Sequence, residues 1–329
     1  MKRILTGDRP TGKLHIGHLI GTLDNRVKLQ DEYDTFIIIA DFQYMTDRRE
    51  YQKIEDNILE IVKDYLAVGL DPKRVTFFVQ SKVIALSQLY QMFSNLVSVA
   101  RVKRNPTVKD ELRSAGIEES NMSVAMLTYP VSQAADILGF KANLVPVGED
   151  QLPHLEQTRE VARSFNKEFK EIFPVPEPLL SIAPRVLGLD GNAKMSKSLG
   201  NTIMLSDSPD DIRKKLKRAV TDSGKEIKFD MANKPAISNL MTIFSFMSGK
   251  NYKKIENEFK YASYSEFKDA LAEEIIKKLN VMQERRASAT EAEVKKILGH
   301  GTEKANEITL KTLEEAKEAM HISYPKIFK

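Results

Sequence analysis

The stretch Ile4-Leu5-Thr6-Gly7-Asp8-Arg9-Pro10-Thr11-Gly12-Lys13-Leu14-His15-Ile16-Gly17-His18 decides how the rest of the chain is read. Ile4 to Thr6 reads as a short buried strand. Gly7, Pro10 and Gly12 are turn formers, and Leu19, Ile20, Leu23 and Val27 then recur at helical spacing. Strand, glycine-bearing loop and helix in that order suit an anionic phosphate, because the first N–H groups of a helix and its positive dipole end face the loop. His15 and His18 add imidazole donors there, and Gly12 and Gly17 let a nucleotide approach the backbone closely. Taken alone, the two histidines also read as simple helix caps, so the surrounding sequence has to decide.

Downstream, Thr35 to Ala40 is continuously apolar after its first residue and ends in Asp41, as a strand covered on both faces would be. Ile54, Ile58, Ile61, Val62, Tyr65 and Leu66 mark one face of a helix ended by Gly69 and Pro72. Val75 to Gln80 reads as a strand, Ala85 to Val99 as a helix, and Asn143 to Val147 as a strand leading into Gly148-Glu149-Asp150-Gln151. This alternation predicts an α/β protein with a Rossmann-like, doubly wound parallel sheet. From Ser206 the texture changes. Ser208 is placed to cap a helix with Pro209 at its first position and Asp210 and Asp211 at its positive end, and helical patterns follow to residue 320. The division expected is a unit over residues 1–190 with a helical insertion, then a mobile loop and an all-helical domain over 191–329.

Composition narrows the chemistry. A chain of 329 residues is long enough for two domains, and the absence of cysteine excludes disulfides, thiolate metal sites and a cysteine nucleophile. The first residues carry no signal-peptide pattern and no apolar run approaches the roughly 18 residues of a membrane span, so a cytoplasmic protein is expected, with neither a membrane nor DNA as partner. The net charge of +4 is weak evidence for a polyanion, but basic clusters at 101–104, 213–218 and 285–296 could follow a phosphate backbone. Each cluster also reads as a solvated helix face.

A second motif, Lys194-Met195-Ser196-Lys197-Ser198, lies in the glycine-flanked run that begins Gly188-Leu189-Asp190-Gly191. Two lysines three apart on a mobile loop can fold over a triphosphate and offset the charge that grows as pyrophosphate leaves. With His15-Ile16-Gly17-His18 before it, this ordered pair resembles the class I aminoacyl-tRNA synthetases. More narrowly, the chain resembles the tryptophanyl/tyrosyl subgroup and, over essentially its whole length, the bacterial tryptophanyl enzymes. The residues that carry this include Leu127-Thr128-Tyr129-Pro130, Ala134-Ala135-Asp136-Ile137-Leu138, Val145 to Gln151, Ala219-Val220-Thr221-Asp222 and Lys234 to Leu240.

The resemblance implies activation of L-tryptophan by ATP to an adenylate, with loss of pyrophosphate and then transfer to tRNA(Trp). It also implies Mg²⁺ carried with ATP, an anticodon-reading helical domain and a homodimer. No covalent enzyme nucleophile is required, so catalysis is positioning and electrostatic stabilisation. Carried over by position, Arg9, Pro10, Thr11, Gly17 and His18 hold ATP, with His15 in the same cradle. Gly148, Glu149 and Asp150 take the ribose, and Val186 touches adenine. Lys194, Met195, Ser196, Lys197 and Ser198 close over the phosphates, the two lysines and two histidines being catalytic. Asp136 accepts the indole N–H, and Tyr129, Gln133, Gln151, Leu5 and Gln43 complete the amino-acid site.

Gln133 stands where many tryptophanyl enzymes have methionine, and Leu5 and Gln43 where phenylalanine and histidine often occur. The Tyr129-x-x-x-Gln133-x-x-Asp136 spacing also resembles tyrosyl enzymes, which keeps tyrosine as an alternative substrate. A small-molecule nucleotidylyltransferase shares the histidine motif but would not need the lysine motif and a long helical half.

Overall fold

Five strands form among the described residues: β1 (Arg3–Asp8), β2 (Asp34–Ile39), β3 (Val75–Val79), β4 (Leu144–Val147) and β5 (Glu177–Leu180). They pair in parallel in the order β3-β2-β1-β4-β5. The chain therefore winds outward from β1 to β3, then crosses back to β4 on the other side of β1. At that reversal the loops leaving β1 and β4 diverge and open a crevice at the carboxyl ends of the strands, where open α/β sheets bind ligands. The computed structural model describes residues 1–180 and 186–328, without the side chains of Ser114, Ala115 and Asp150.

The first helical stretch is α1 (Ile16–His18), a π turn over Leu19–Leu23, and α2 (Asp24–Leu29). Then come α3 (Asp41–Tyr44), α4 (Ile54–Val68), α5 (Ile84–Phe93), α6 (Val99–Lys103), α7 (Pro106–Ala115), α8 (Val124–Gly139) and α9 (Leu152–Glu168). The helical half supplies α10 (Pro209–Arg218), α11 (Pro235–Ser248), α12 (Tyr252–Glu258), α13 (Tyr264–Ser288) and α14 (Glu291–Ala319). Ser208 caps α10 as its sequence predicts, accepting from Asp211 N–H at 3.2 Å. The helix expected over 85–99 is split instead. α5 stops at Phe93 and Ser98 caps α6 by accepting from Arg101 N–H. β5 is not legible in the sequence, because four residues containing Pro178 give no strand signal, although an edge strand tolerates proline.

One apolar core joins the two halves. It runs from Leu14, Ile16 and Leu19 through Ile37, Ile61 and Tyr65 to Met195, Ile203, Leu205, Ile237, Phe244 and Leu271. Each such side chain contributes about 1.5–3 kcal/mol when fully buried. The segment carrying the lysine motif is thus tied down by Met195 and Ile203, which are buried at 3% and 0% exposure. A second core under α5, α8 and α9 includes Phe93, Leu138 and Phe165 and takes in Leu313 and Ala316, so α14 returns to the sheet side.

Candidate active site

The loop between β1 and α1 is clamped at its entry. Asp8, at the carboxyl tip of β1, accepts from Arg26 at 2.5 Å and from the Tyr65 hydroxyl at 2.6 Å. Burial works against the charged carboxylate, but Arg26, with lesser help from His18 and Tyr65, holds it at about 2. Beyond it, His15 Nδ1 accepts from Gly17 N–H at 3.1 Å and His18 Nδ1 accepts from His15 N–H at 3.2 Å. The rings lie 3.8 Å apart between centroids. With Nδ1 accepting in each, the proton of each neutral ring sits on Nε2, which is left as a donor. Burial and the two lysines keep them neutral, with His18 acting on His15 and Arg26 on His18: His15 is pushed down to about 2, and His18 to about 4 despite Asp8 pulling the other way.

One expectation is corrected here. The helix-start N–H groups do not face the loop as phosphate donors, because Ile16 N–H donates to Ile203 O at 2.9 Å and Gly17 N–H to the His15 ring. The segment after the lysine motif occupies that side. His15 and Met204 form an antiparallel bridge, and Leu205 N–H donates to Leu14 O at 3.0 Å. The donors presented to an anion are thus the imidazole Nε2–H groups and the lysines. Gly17 is required by this approach: a Cβ there would lie 2.8 Å from the His15 ring and 3.3 Å from Met195 Cβ.

The two motifs, about 180 positions apart, meet directly. Lys197 Nζ donates to Thr11 O at 2.6 Å, Lys13 O at 3.0 Å and Thr11 Oγ1 at 3.1 Å. Burial and the charge of Arg48 push its ammonium down to about 8, with Asp64 and Asp8 pulling back. Lys194 is exposed, and its charge is felt at both imidazoles. Ser196 and Ser198 hydroxyls lie 2.9 Å apart. The motif is shaped by residues that sequence reasoning missed. Asn201 accepts from Ser196 N–H at 2.8 Å and donates to Asp190 at 2.9 Å. Asn239 holds both sides of the Leu187 peptide. Asn201 packs where a Cβ on Gly188 would fall, 2.0 Å from its amide nitrogen, so only glycine fits there.

Beyond the carboxyl ends of β2 and β3 stands a second, differently built group of side chains. Tyr129, Gln133 and Asp136 share one face of α8, which stays helical through Pro130. Asp136 is 3% exposed; Oδ2 accepts from Gln80 Nε2 at 2.7 Å while Oδ1 has no hydrogen-bond partner. Burial raises its carboxyl to about 7, against the Gln80 hydrogen bond and with the help of nearby Asp41. Gln133 Oε1 is likewise buried and unpartnered. Tyr129 is fixed through its hydroxyl, 2.8 Å from His154 Nε2, and His154 Nδ1 is 3.1 Å from Asn105 Nδ2. Burial and Glu111 push the Tyr129 hydroxyl up. Gln80, Asn105 and His154 carry no motif and were invisible in the sequence.

The remaining expected residues divide between these two groups. Leu5 lies in the cluster of Phe36, Phe78 and Ile137, between the sheet and α8. Gln43 is half-buried on α3 at the end of β2, and Gln151 closes the short turn after Gly148, its N–H donating to Gly148 O at 3.0 Å. Gly148 and Glu149 follow β4 beside the β1 tip, at the crevice; the side chain of Asp150 lies outside the described residues. Arg9 pairs with Asp47 at 3.0 Å and Pro10 is buried. Val186 is not brought to the loop's surface but packs in the core with Met195.

Comparison with known proteins agrees with this geometry. The sequence profile described as tRNA synthetases class I (W and Y) matches residues 1–280. A tryptophan–tRNA ligase of Streptococcus pyogenes serotype M1 is 44% identical, with 98% of each chain covered. The crystal structure of tryptophanyl-tRNA synthetase from Mycoplasma pneumoniae superposes with a TM-score of 0.88 at 28% identity, covering 100% of both chains. That from Campylobacter jejuni, complexed with ADP and tryptophan, gives 0.83 at 32% identity, covering 97% of this chain and 99% of the other. A histidine loop and a lysine flap joined across one crevice, in a chain matched from end to end, leave one assignment: the protein belongs to the class I tRNA synthetases of the tryptophan and tyrosine group.

Proposed function

We propose that the chain is a tryptophan–tRNA ligase, which activates L-tryptophan with ATP and transfers it to tRNA(Trp). The observation that carries the nucleotide chemistry is Lys197, seated among the carbonyls of Thr11 and Lys13 at 2.6–3.0 Å. In the first step the carboxylate of the amino acid attacks the α-phosphorus of ATP, and the bond to the bridging oxygen of the leaving pyrophosphate breaks. Positive charge aimed at that pyrophosphate stabilises the transition state. Lys194 and Lys197 supply it, and the Nε2–H groups of His15 and His18 donate to phosphate oxygens without any change of protonation. Arg9, Thr11 and the Gly148–Asp150 turn border the same crevice and complete the nucleotide site. Asp8 is already engaged by Arg26 and Tyr65, so the proposal has Mg²⁺ arrive on the phosphates, where it neutralises charge when bound.

The buried, unpartnered Asp136 Oδ1 fits a substrate whose one hydrogen-bonding handle is a donor, as the indole N–H is. Gln133 Oε1, the other buried acceptor without a partner, would receive the α-ammonium group. That second acceptor, with Tyr129 beside it, is the observation favouring tyrosine as the other reading, while 44% identity to a tryptophan ligase over the whole chain favours tryptophan. ATP–pyrophosphate exchange across the twenty amino acids decides between them. Tryptophan alone should drive label into ATP, and exchange driven by tyrosine would overturn the assignment. The chain contains no tryptophan, so bound substrate would be the sole indole and its emission would report binding directly.

The same reading divides the chain near residue 190 and assigns the helical half to the tRNA. Exposed Lys214, Lys217 and Arg218 on α10 support salt-dependent attraction to its backbone. It also includes a homodimer. Ile84, Val99 and Val124, the first residues of α5, α6 and α8, are 61–75% exposed and are the apolar candidates for that interface. A cytoplasmic location completes the reading; no helix among the described residues is long and apolar enough to cross a membrane.

A further inference from the structure

The loop that receives the nucleotide is clamped at both ends by neighbouring residues of α4, and only one of the clamps reaches the helical half. Tyr65 holds Asp8 at the loop's entry. Asp64, 0% exposed, holds its exit, accepting from Leu14 N–H at 2.6 Å through Oδ2. The other oxygen of Asp64 accepts from Arg286 Nε at 2.7 Å, and the Arg286 fork continues to Glu60 at 2.5 Å. Glu60 in turn lies 3.7 Å from Lys13 Nζ. Arg286 belongs to the last turn of α13, more than 200 positions from the loop it steadies.

The Leu14 peptide is therefore held from both sides, by Asp64 through its N–H and by Leu205 through its carbonyl. Immediately before it stand the carbonyls of Thr11 and Lys13 that receive Lys197. A shift of Arg286 would be felt at Asp64, then at Leu14, then at the ring of acceptors around the flap lysine. Asp64 is also close enough for its charge to act on Lys197 directly. A planar guanidinium spanning two carboxylates fixes direction as well as distance, which an ammonium cannot do.

We propose that Arg286 and Asp64 are positioning residues for the nucleotide loop, through which the docking of α13 sets the geometry of the ATP site. The amino-acid side chains Tyr129, Gln133 and Asp136 on α8 lie off this relay, so amino-acid affinity should not follow. The inference rests on the reading above only in placing a nucleotide at this loop.

The test uses the full-length protein. Equilibrium binding of a fluorescent ATP analogue is measured without amino acid, and KM values for ATP and tryptophan are taken from exchange. Arg286→Ala should weaken nucleotide binding and raise the ATP KM about tenfold, while the tryptophan KM stays within about a factor of two. Arg286→Lys, which keeps the charge but cannot span Asp64 and Glu60, should fall about threefold short of wild type and carries the test if the alanine variant does not fold. Asp64→Asn should resemble Arg286→Ala and add little to it in the double variant, as expected of one relay. Unchanged nucleotide affinity, or ATP and tryptophan constants rising together, would overturn the proposal. Because nucleotide binding is read alone, a wild-type chain that bound ATP but activated another amino acid would end the tryptophan assignment and leave this inference standing.

Discussion

The two halves of the catalytic crevice are finished to different degrees by the protein itself. On the nucleotide side the imidazole Nε2–H groups and exposed Lys194 stay open, but several other polar groups already have protein partners: Lys197 has the carbonyls of Thr11 and Lys13, Ile16 N–H has Ile203, and Asp8 has Arg26 and Tyr65. On the amino-acid side, buried Asp136 Oδ1 and Gln133 Oε1 have none. A nucleotide that engages Lys197 must therefore exchange existing bonds for new ones, so that contact returns little until charge develops in the transition state. The amino acid satisfies acceptors that nothing else reaches, and a buried acceptor left alone costs about 1–3 kcal/mol. One side is built for rate and the other for choice.

The largest break in that contrast should come from Lys197→Ala. Loss of a contact realised mainly in the transition state costs about 3 kcal/mol, so adenylate formation should fall by two orders of magnitude or more. Tryptophan binding, read by indole fluorescence, should stay within about a factor of two. Equal losses in both would show that the flap and the amino-acid pocket are not separate. Gly17→Ala should come next, since its Cβ would press on the His15 ring at 2.8 Å and on Met195 at 3.3 Å. Displacing that ring should raise the ATP KM some tens of fold, again without a matching change for tryptophan.

Asp136→Asn sharpens the other side. A neutral amide still accepts a hydrogen bond but loses the charge assistance, so the tryptophan KM should rise about tenfold while the ATP KM holds. Stability should move in the opposite direction. The Asp136 carboxyl titrates near 7 in the fold, against an ordinary value of 3.8, so the native state binds its proton more tightly than the unfolded chain. Its contribution to stability is present at low pH and is lost as pH climbs through 7. The asparagine variant escapes that loss, by up to a few kcal/mol, and should melt higher than wild type at pH 8 but not at pH 4. An unchanged melting temperature at pH 8 would mean that the carboxylate is better solvated than its surroundings imply.

What the sequence disclosed follows the same division. The strand–loop–helix reading of Ile4 to His18 and the apolar run to Asp41 were legible because buried parallel strands and amphipathic helices impose periods on the chain. Both motifs could be read, as could the shared face of Tyr129, Gln133 and Asp136, since helical spacing is local information. Gln80 under Asp136 and His154 beside Tyr129 were not, because each acts through a tertiary hydrogen bond that leaves no local pattern, and Asn201 was not, because its bond to Ser196 N–H belongs to an irregular loop with no period to read. The capture of the Ile16 N–H by Ile203 escaped because it depends on pairing across nearly 190 positions.

The smallest effect, a few-fold change in KM, is also the one that separates the halves most cleanly, because it is read from pH alone. Lys197 carries its charge below about 8 and loses it above, so the attraction of the flap for triphosphate is present at neutral pH and fades as pH rises. The ATP constant of the free enzyme should be flat from pH 6 to 7.5 and climb a few-fold by pH 9. Lys197→Arg should abolish the climb, since a guanidinium stays charged throughout, even if its different shape slows the reaction. His15 and His18, neutral down to about 2 and about 4, should add no bend where free imidazole titrates. The tryptophan constant should instead bend near 7 with Asp136, improving as the carboxylate ionises, and Asp136→Asn should flatten that bend alone. Two inflections that move independently with two substitutions would keep the halves distinct; a single inflection near 6.5 in both constants would place a histidine at the centre of each and dissolve the comparison.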